Sequence, residues 1–310
     1  MTGRALITGA AGFVGRRLAT YLQSRGWALV RSGVPAGEGM IPCDVRDGAS
    51  VSRLVREAGE LTHVFHLAAI AFVPEAEIDP VRTMEVNLNG TIHLCQALRQ
   101  CARPPRLIFV GSADAYGPPL TLPITEEHPL LPANAYAISK AAADHYCAHL
   151  ARVKALDCVR LRPFNHTGPG QADHFVLSSF ARQIAAIEAG RSEPVLRSGN
   201  LEASRDFLHV DDVVRAYELA ALHVPSGEVY NICSGKAVRI QDALDRLLAM
   251  STAAIAVEQD PARLRPSDVP EVRGAHEKFS SATGWHPEIE FDNLLRDLLA
   301  YWRADLGVTV

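Results

Sequence analysis

Short apolar runs and amphipathic stretches alternate along the first half of the chain. Arg4-Ala5-Leu6-Ile7-Thr8 is a short apolar run closed by glycine, the pattern of a strand buried on both faces. Val14, Leu18, Tyr21 and Leu22 then recur at helical spacing over 14–25. A second strand is expected at 27–30, a third ending at 41–45, a helix over 47–58 and a fourth strand at 63–67. One helix is expected over 81–100, carrying Val86, Leu88, Ile92, Leu94 and Leu98, with Asn87 and Asn89 interrupting its apolar face. Asn87 is read as a buried bridge between strands. A fifth strand at 106–110, a helix opened by Asn134 and running to about Val153, and a strand at 156–162 follow, with further helices over 174–189 and 212–222. Strands and helices alternating at this spacing predict an α/β chain with a doubly wound parallel sheet. Trp285, Phe291, Leu294, Leu298 and Trp302 read as packing residues.

At 310 residues the chain is about twice the usual single-domain length. A smaller C-terminal substrate lobe is therefore expected beside the sheet. The boundaries proposed are 1–163 plus 204–233 for the sheet domain and 164–203 plus 234–310 for the lobe. The 48% apolar and 21% charged content excludes disorder and coiled coil as the main class. No apolar stretch is long enough to span a bilayer, and the N-terminus carries no signal segment. Six cysteines with no metal-type spacing read as reduced thiols, so a cytoplasmic protein without a metal is expected. A net charge of −4 leaves no nucleic-acid footprint.

The chemistry concentrates where strands end. Gly9, Gly12 and Gly15, with Phe13 and Val14 opening the helix, form a strand–turn–helix phosphate cradle of Rossmann-like type. An NAD-selective fold of this type places Asp or Glu after the second strand; Arg31-Ser32 stand there instead, which favours NADP(H) over NAD(H). Asp44 and Val45 fall at the next strand end, and Ala68 and Ala69 after Leu67 are small enough for a cofactor to lie on the backbone. Tyr136 and Lys140 are four apart and share a helix face. An ammonium beside the phenol is expected to lower its pKa, so that it trades a proton near neutral pH. Ser112, after the fifth strand, is the candidate for stabilising a carbonyl oxygen, and Asp114 follows it. Pro163 leads into a polar loop in which Asn165 suits a sugar hydroxyl or a phosphate oxygen. His166 contacts a nicotinamide or bridges loop backbone; spacing leaves both open. Arg205 and Arg265 suit a diphosphate clamp, with Arg182 a further candidate.

The glycine turn, Ser112 and Tyr136-Ala-Ile-Ser-Lys140 resemble the extended short-chain dehydrogenase/reductases over nearly the whole chain. The stretches 162–171, 199–207, 229–235 and 264–270 resemble the GDP-6-deoxy-D-mannose reductases within them. The resemblance implies an NAD(P)H-dependent reductase acting on the 4-keto group of GDP-4-keto-6-deoxy-D-mannose, a homodimer, and catalytic Ser112, Tyr136 and Lys140. It implies cofactor contacts at Pro163 and His166 besides Tyr136 and Lys140. It implies substrate contacts at Asn165, Asn200, Arg205 and Arg265, and at Asp268 on the guanosine ribose. The sister family of GDP-mannose 4,6-dehydratases has a glutamate where Asp114 stands, and an arginine-rich stretch where 167–173 has none. A 4-epimerase, or an NADP-binding sensor without catalysis, are the other readings.

Overall fold

The computed structural model describes residues 3–263 and 269–308. The strands are β1 (Arg4–Thr8), β2 (Ala28–Gly33), β3 (Ile41–Pro42), β4 (His63–His66), β5 (Arg106–Val110), β6 (Cys158–Pro163), β7 (Asn165–Thr167), β8 (Val195–Ser198), β9 (Ser204–His209), β10 (Val229–Ile232), β11 (Ala237–Arg239), β12 (Ala256–Gln259) and β13 (Glu271–Val272). The helices are α1 (Phe13–Ser24), α2 (Gly48–Ala58), α3 (Val73–Ile78), α4 (Pro80–Met84), α5 (Gly90–Arg99), α6 (Ala135–Arg152), α7 (Val176–Glu188), α8 (Val210–His223), α9 (Ile240–Ala249), α10 (Glu277–Thr283) and α11 (Phe291–Asp305).

Seven parallel strands form the central sheet in the order β10-β6-β5-β4-β1-β2-β3. The chain builds outward from β1 to β3, then crosses back to place β4 on the other side of β1. That reversal opens a crevice at the C-terminal ends of β1 and β4, where ligands bind in open α/β sheets. Both faces are covered. Leu18, Leu22, Val213 and Tyr217 pack on one side, together with Phe279 and Trp285 from the C-terminal stretch. Val51, Leu54, Leu94, Leu98 and Leu150 pack on the other. Buried on both sides, the strands read as continuous apolar runs, which is why they were legible in the sequence.

The segment expected as one helix over 81–100 is helical without a break from Pro80 to Arg99, made of α4, a π turn over Glu85–Asn89, and α5. Asn87 sits in that turn and is 1% exposed. It donates to the Ile70 carbonyl and to Ser139 Oγ and accepts from the Ile70 amide. It therefore ties the segment after β4 to α6, rather than one strand to another. The short strands β7, β9, β11 and β13 form a second sheet, and β8 pairs with β12; their runs of two to six residues are too brief to show a period. Behind them, α7, α9 and α11 enclose a third core containing Phe180, Leu244, Leu298 and Trp302. All six cysteines are free thiols, and five are buried.

Candidate functional site

The chain leaves β1 at Thr8 and turns through Gly9 into α1. Gly9 adopts φ +70°, and a Cβ there would stand 2.7 Å from the Ala68 amide nitrogen. A Cβ at Gly15 would stand 2.2 Å from the Gly9 carbonyl oxygen. Side chains are excluded from the turn, so the backbone of α1 approaches β1 and β4 closely. Gly12 precedes Phe13, the first residue of α1, and no side chain caps the helix there. Amide donors and the partial positive charge of the helix end are left for an anion. A cavity of about 300 Å³ extends from this turn past Ser32 and Asp44 to Leu67, Ala68 and Ala69. A cradle that any Cβ would fill, an uncapped helix start and a narrow trough of small residues fit a dinucleotide.

Asp44 and Val45 line the trough as expected from their strand-end position. The guanidinium of Arg46, 2.6 Å from Asp44 Oδ2, holds that carboxyl below the usual carboxylate range. Arg46 and Arg82 also line the trough, and both were missed in the sequence, because nothing in their spacing marks them. Arg31 is turned away: its guanidinium donates to the Glu38 carbonyl at 3.3 Å, and only its neighbour Ser32 reaches the wall.

Asn134 opens α6, its side chain accepting from the Ala137 amide at 2.8 Å, while Glu77 accepts from the Ala135 amide at 2.6 Å. Two caps thus set the first turn of α6, and with it Tyr136. Tyr136, Lys140 and Ser112 are 8%, 5% and 8% exposed. Ser112 begins the 3-10 turn after β5, with its hydroxyl accepting from the Asp114 amide at 3.2 Å. The expectation that Lys140 lowers the Tyr136 pKa is not met. Burial raises the phenol above its ordinary value and the nearby Asp114 charge adds to this, against a hydrogen bond with Ser112. The Lys140 ammonium donates instead to the Val110 carbonyl at the end of β5, at 2.5 Å. Burial lowers its own pKa to about 8. Desolvation sets both shifts: burial disfavours the phenolate and the ammonium alike.

Pro163 ends β6, and Asn165 and His166 enter β7. Of the two readings of His166, the loop bridge is present: Nδ1 donates to the Phe164 carbonyl at 2.8 Å. Its ring stacks on Phe13 of α1, centroids 6.4 Å apart, which sets it beside the glycine turn. Burial holds its pKa below the ordinary histidine value. Arg182 lines a second cavity of about 340 Å³ with Asp173, His174, Ser179, Gln183 and Arg263. It pairs there with Asp173 at 3.2 Å. His174 and Arg263 were not legible from sequence. His174 packs on Phe72 of the segment before α3, centroids 4.3 Å apart, joining the two sides of the cleft. Arg205 donates to the carbonyls of Ser204 and Val269. Asn200 accepts from the Glu202 amide at 2.9 Å. Arg265 and Asp268 lie outside the described residues.

The sequence pattern of the "NAD dependent epimerase/dehydratase family" matches residues 5–233. GDP-6-deoxy-D-mannose reductase of Pseudomonas aeruginosa is 39% identical over 308 residues, covering 98% of each chain. UDP-glucose 4-epimerase of Streptomyces lividans is 30% identical, covering 93% of this chain and 92% of that one. Among solved structures, RMD from Pseudomonas aeruginosa complexed with NADPH superimposes with a TM-score of 0.89 at 37% identity, over 98% of this chain and 99% of that one. The Thermus thermophilus UDP-glucose 4-epimerase complex with NAD gives 0.86 at 29% identity, over 99% and 100%.

Proposed function

The chain belongs to the NAD dependent epimerase/dehydratase family, and from that premise we propose that it is an NADPH-dependent reductase of the 4-keto group of GDP-4-keto-6-deoxy-D-mannose, yielding GDP-6-deoxy-D-mannose. The observation that carries this reading is the full-length likeness to the Pseudomonas reductase. NADPH supplies the hydride when bound. Gly9, Gly12, Phe13, Val14 and Gly15 hold its diphosphate, Ser32 and the nearby cations its 2′-phosphate end, and Asp44 and Val45 its adenine side. Leu67, Ala68 and Ala69 floor the trough, with Pro163 and His166 at its far end. Ser112 donates a hydrogen bond to the ketone oxygen. Tyr136 hands its proton to that oxygen as it becomes an alkoxide. Raised by burial, the phenol holds its proton at neutral pH and gives it up only to the more basic alkoxide that forms as hydride arrives. Lys140 orients the cofactor ribose. Asn165, Arg182, Asn200, Arg205, Arg265 and Asp268 are assigned to the nucleotide sugar, with Asp114 beside the reacting ring.

In this reading, residues 1–163 with 204–233 hold the cofactor and 164–203 with 234–310 hold the sugar nucleotide. The strand β9, paired in the small sheet, runs straight into α8 under the large one and joins the two parts. The protein acts as a cytoplasmic homodimer; its free thiols support that compartment. Among the described residues no helix is long and apolar enough to cross a membrane.

The test is an absorbance assay of the reduced cofactor. NADPH is consumed with GDP-4-keto-6-deoxy-D-mannose and not with GDP-mannose. A keto sugar formed from GDP-mannose without net cofactor change identifies a dehydratase instead, and binding without turnover identifies a sensor.

A further inference from the structure

From Thr8 in the wall of the trough a line of buried polar groups that carry no step of the reaction runs inward. Thr8, His66, Asn87, Thr91 and Ser139 are each 2% exposed or less. Thr91 Oγ1 donates to the Asn87 carbonyl at 2.7 Å, so toward His66 it can only accept. His66 Nε2 therefore carries the proton and donates to Thr91 at 3.0 Å. Nδ1 is then an acceptor, and Thr8 Oγ1 donates to it at 2.7 Å. Thr8 Oγ1 in turn faces the Ala68 amide at 3.4 Å. From Asn87 the line continues through its side-chain amide to Ser139 Oγ at 2.9 Å, and from Ser139 to the Tyr136 carbonyl at 2.7 Å. The π turn at Glu85–Asn89 breaks the regular helical bonding beside Asn87, and such turns concentrate at functional sites.

We infer that His66 is a positioning residue whose single tautomer registers the helix bearing Tyr136 against the floor of the cofactor trough. Every hydroxyl in the line has its hydrogen committed, so the ring fits in one orientation only. Apolar surroundings give these bonds their directional force, because an unmade one has no water to replace it. A lowered pKa, about 3 through complete burial, keeps the ring neutral across the working range. The inference rests on the oxidoreductase reading for what is being positioned, but the arrangement is tested without substrate.

The experiment uses the full chain, labelled with 15N-histidine, together with Thr8→Val, Thr91→Val, the double variant and Thr91→Ser. Proton–nitrogen correlations of the wild type, assigned by the peak missing in His66→Gln, are expected to show His66 protonated at Nε2. A proton on Nδ1 overturns the proposal. Fluorescence titration with NADPH reads the coupling. Each valine variant is expected to weaken binding about tenfold, since the competent arrangement becomes a minor fraction. Because both act through one ring, the double variant is expected to match the weaker single one, and Thr91→Ser to restore wild-type affinity. A purely local packing role predicts instead that the two losses multiply; that result, or unchanged affinity in both single variants, overturns it. Turnover of the keto sugar is measured separately. Its absence in a wild type that shows the coupling removes the substrate reading and leaves this one standing.

Discussion

Tyr136 and Lys140 show how far burial alone changes a side chain's chemistry. Both stand on the first turns of α6, out of water. Tyr136→Phe removes the proposed acid without emptying space, so kcat is expected to fall roughly 10²–10⁴-fold while NADPH affinity in a binding titration holds. Lys140, lowered from 10.5 to about 8, sets a pH limb. As pH rises through about 8 the ammonium is lost, and kcat/KM, which reports the free enzyme, is expected to fall. The same shift bears on stability. Between about 8 and 10.5 the unfolded chain holds more protons at this position than the folded one, so folding strengthens with rising pH there. Below that window the buried charge costs up to about 3 kcal/mol. Lys140→Met is therefore expected to raise stability in urea at pH 7, with a smaller gain at pH 9.5, while abolishing activity. Equal gains at both pH values argue against the desolvation account.

At the scale of the element, the glycine turn and α6 were both readable, since each is coded by neighbours in sequence. Gly15 allows α1 to sit on β1, and the 2.2 Å gap to the Gly9 carbonyl shows there is no slack. Gly15→Ala is expected to cost about 1–3 kcal/mol by overpacking, and to weaken NADPH binding more than tenfold, read by denaturation and titration. The 81–100 segment is helical as expected, but its π turn was not legible, because periodicity reports which face is apolar, not which carbonyl bonds which amide. The π turn keeps the apolar face while redirecting the backbone at Asn87. Arg31 was expected just after the second strand, but β2 runs on to Gly33 and holds it within the sheet. Its direction, toward the Glu38 carbonyl, depends on the loop that follows.

Across the whole molecule, Asp206 shows what joins the sheet to the small lobe. Fully buried at the start of the small sheet, it accepts from the amides of Ser234, Gly235 and Gly274 and from the Ser234 hydroxyl. Three segments far apart in sequence therefore meet on one carboxylate, beside Arg205. Asp206→Ala strands these donors in a dry interior and is expected to lower stability by roughly 3 kcal/mol or more. A drop below 1 kcal/mol in equilibrium denaturation contradicts that role.

The sequence by itself determined the alternation of strands and helices along the first half of the chain, the glycine turn after β1, and the placing of Ser112 after β5 and of Tyr136 and Lys140 on one helix. Each is written in residues a few positions apart, where periodicity, glycine spacing and helix pitch act directly. Tertiary structure alone decided the crossing from β3 back to β4, the small sheet, the second cavity and the His66 line. It also decided the sign of the Tyr136 shift. These depend on groups tens or hundreds of residues apart, and on how much water is excluded when they meet, and a local pattern carries neither quantity.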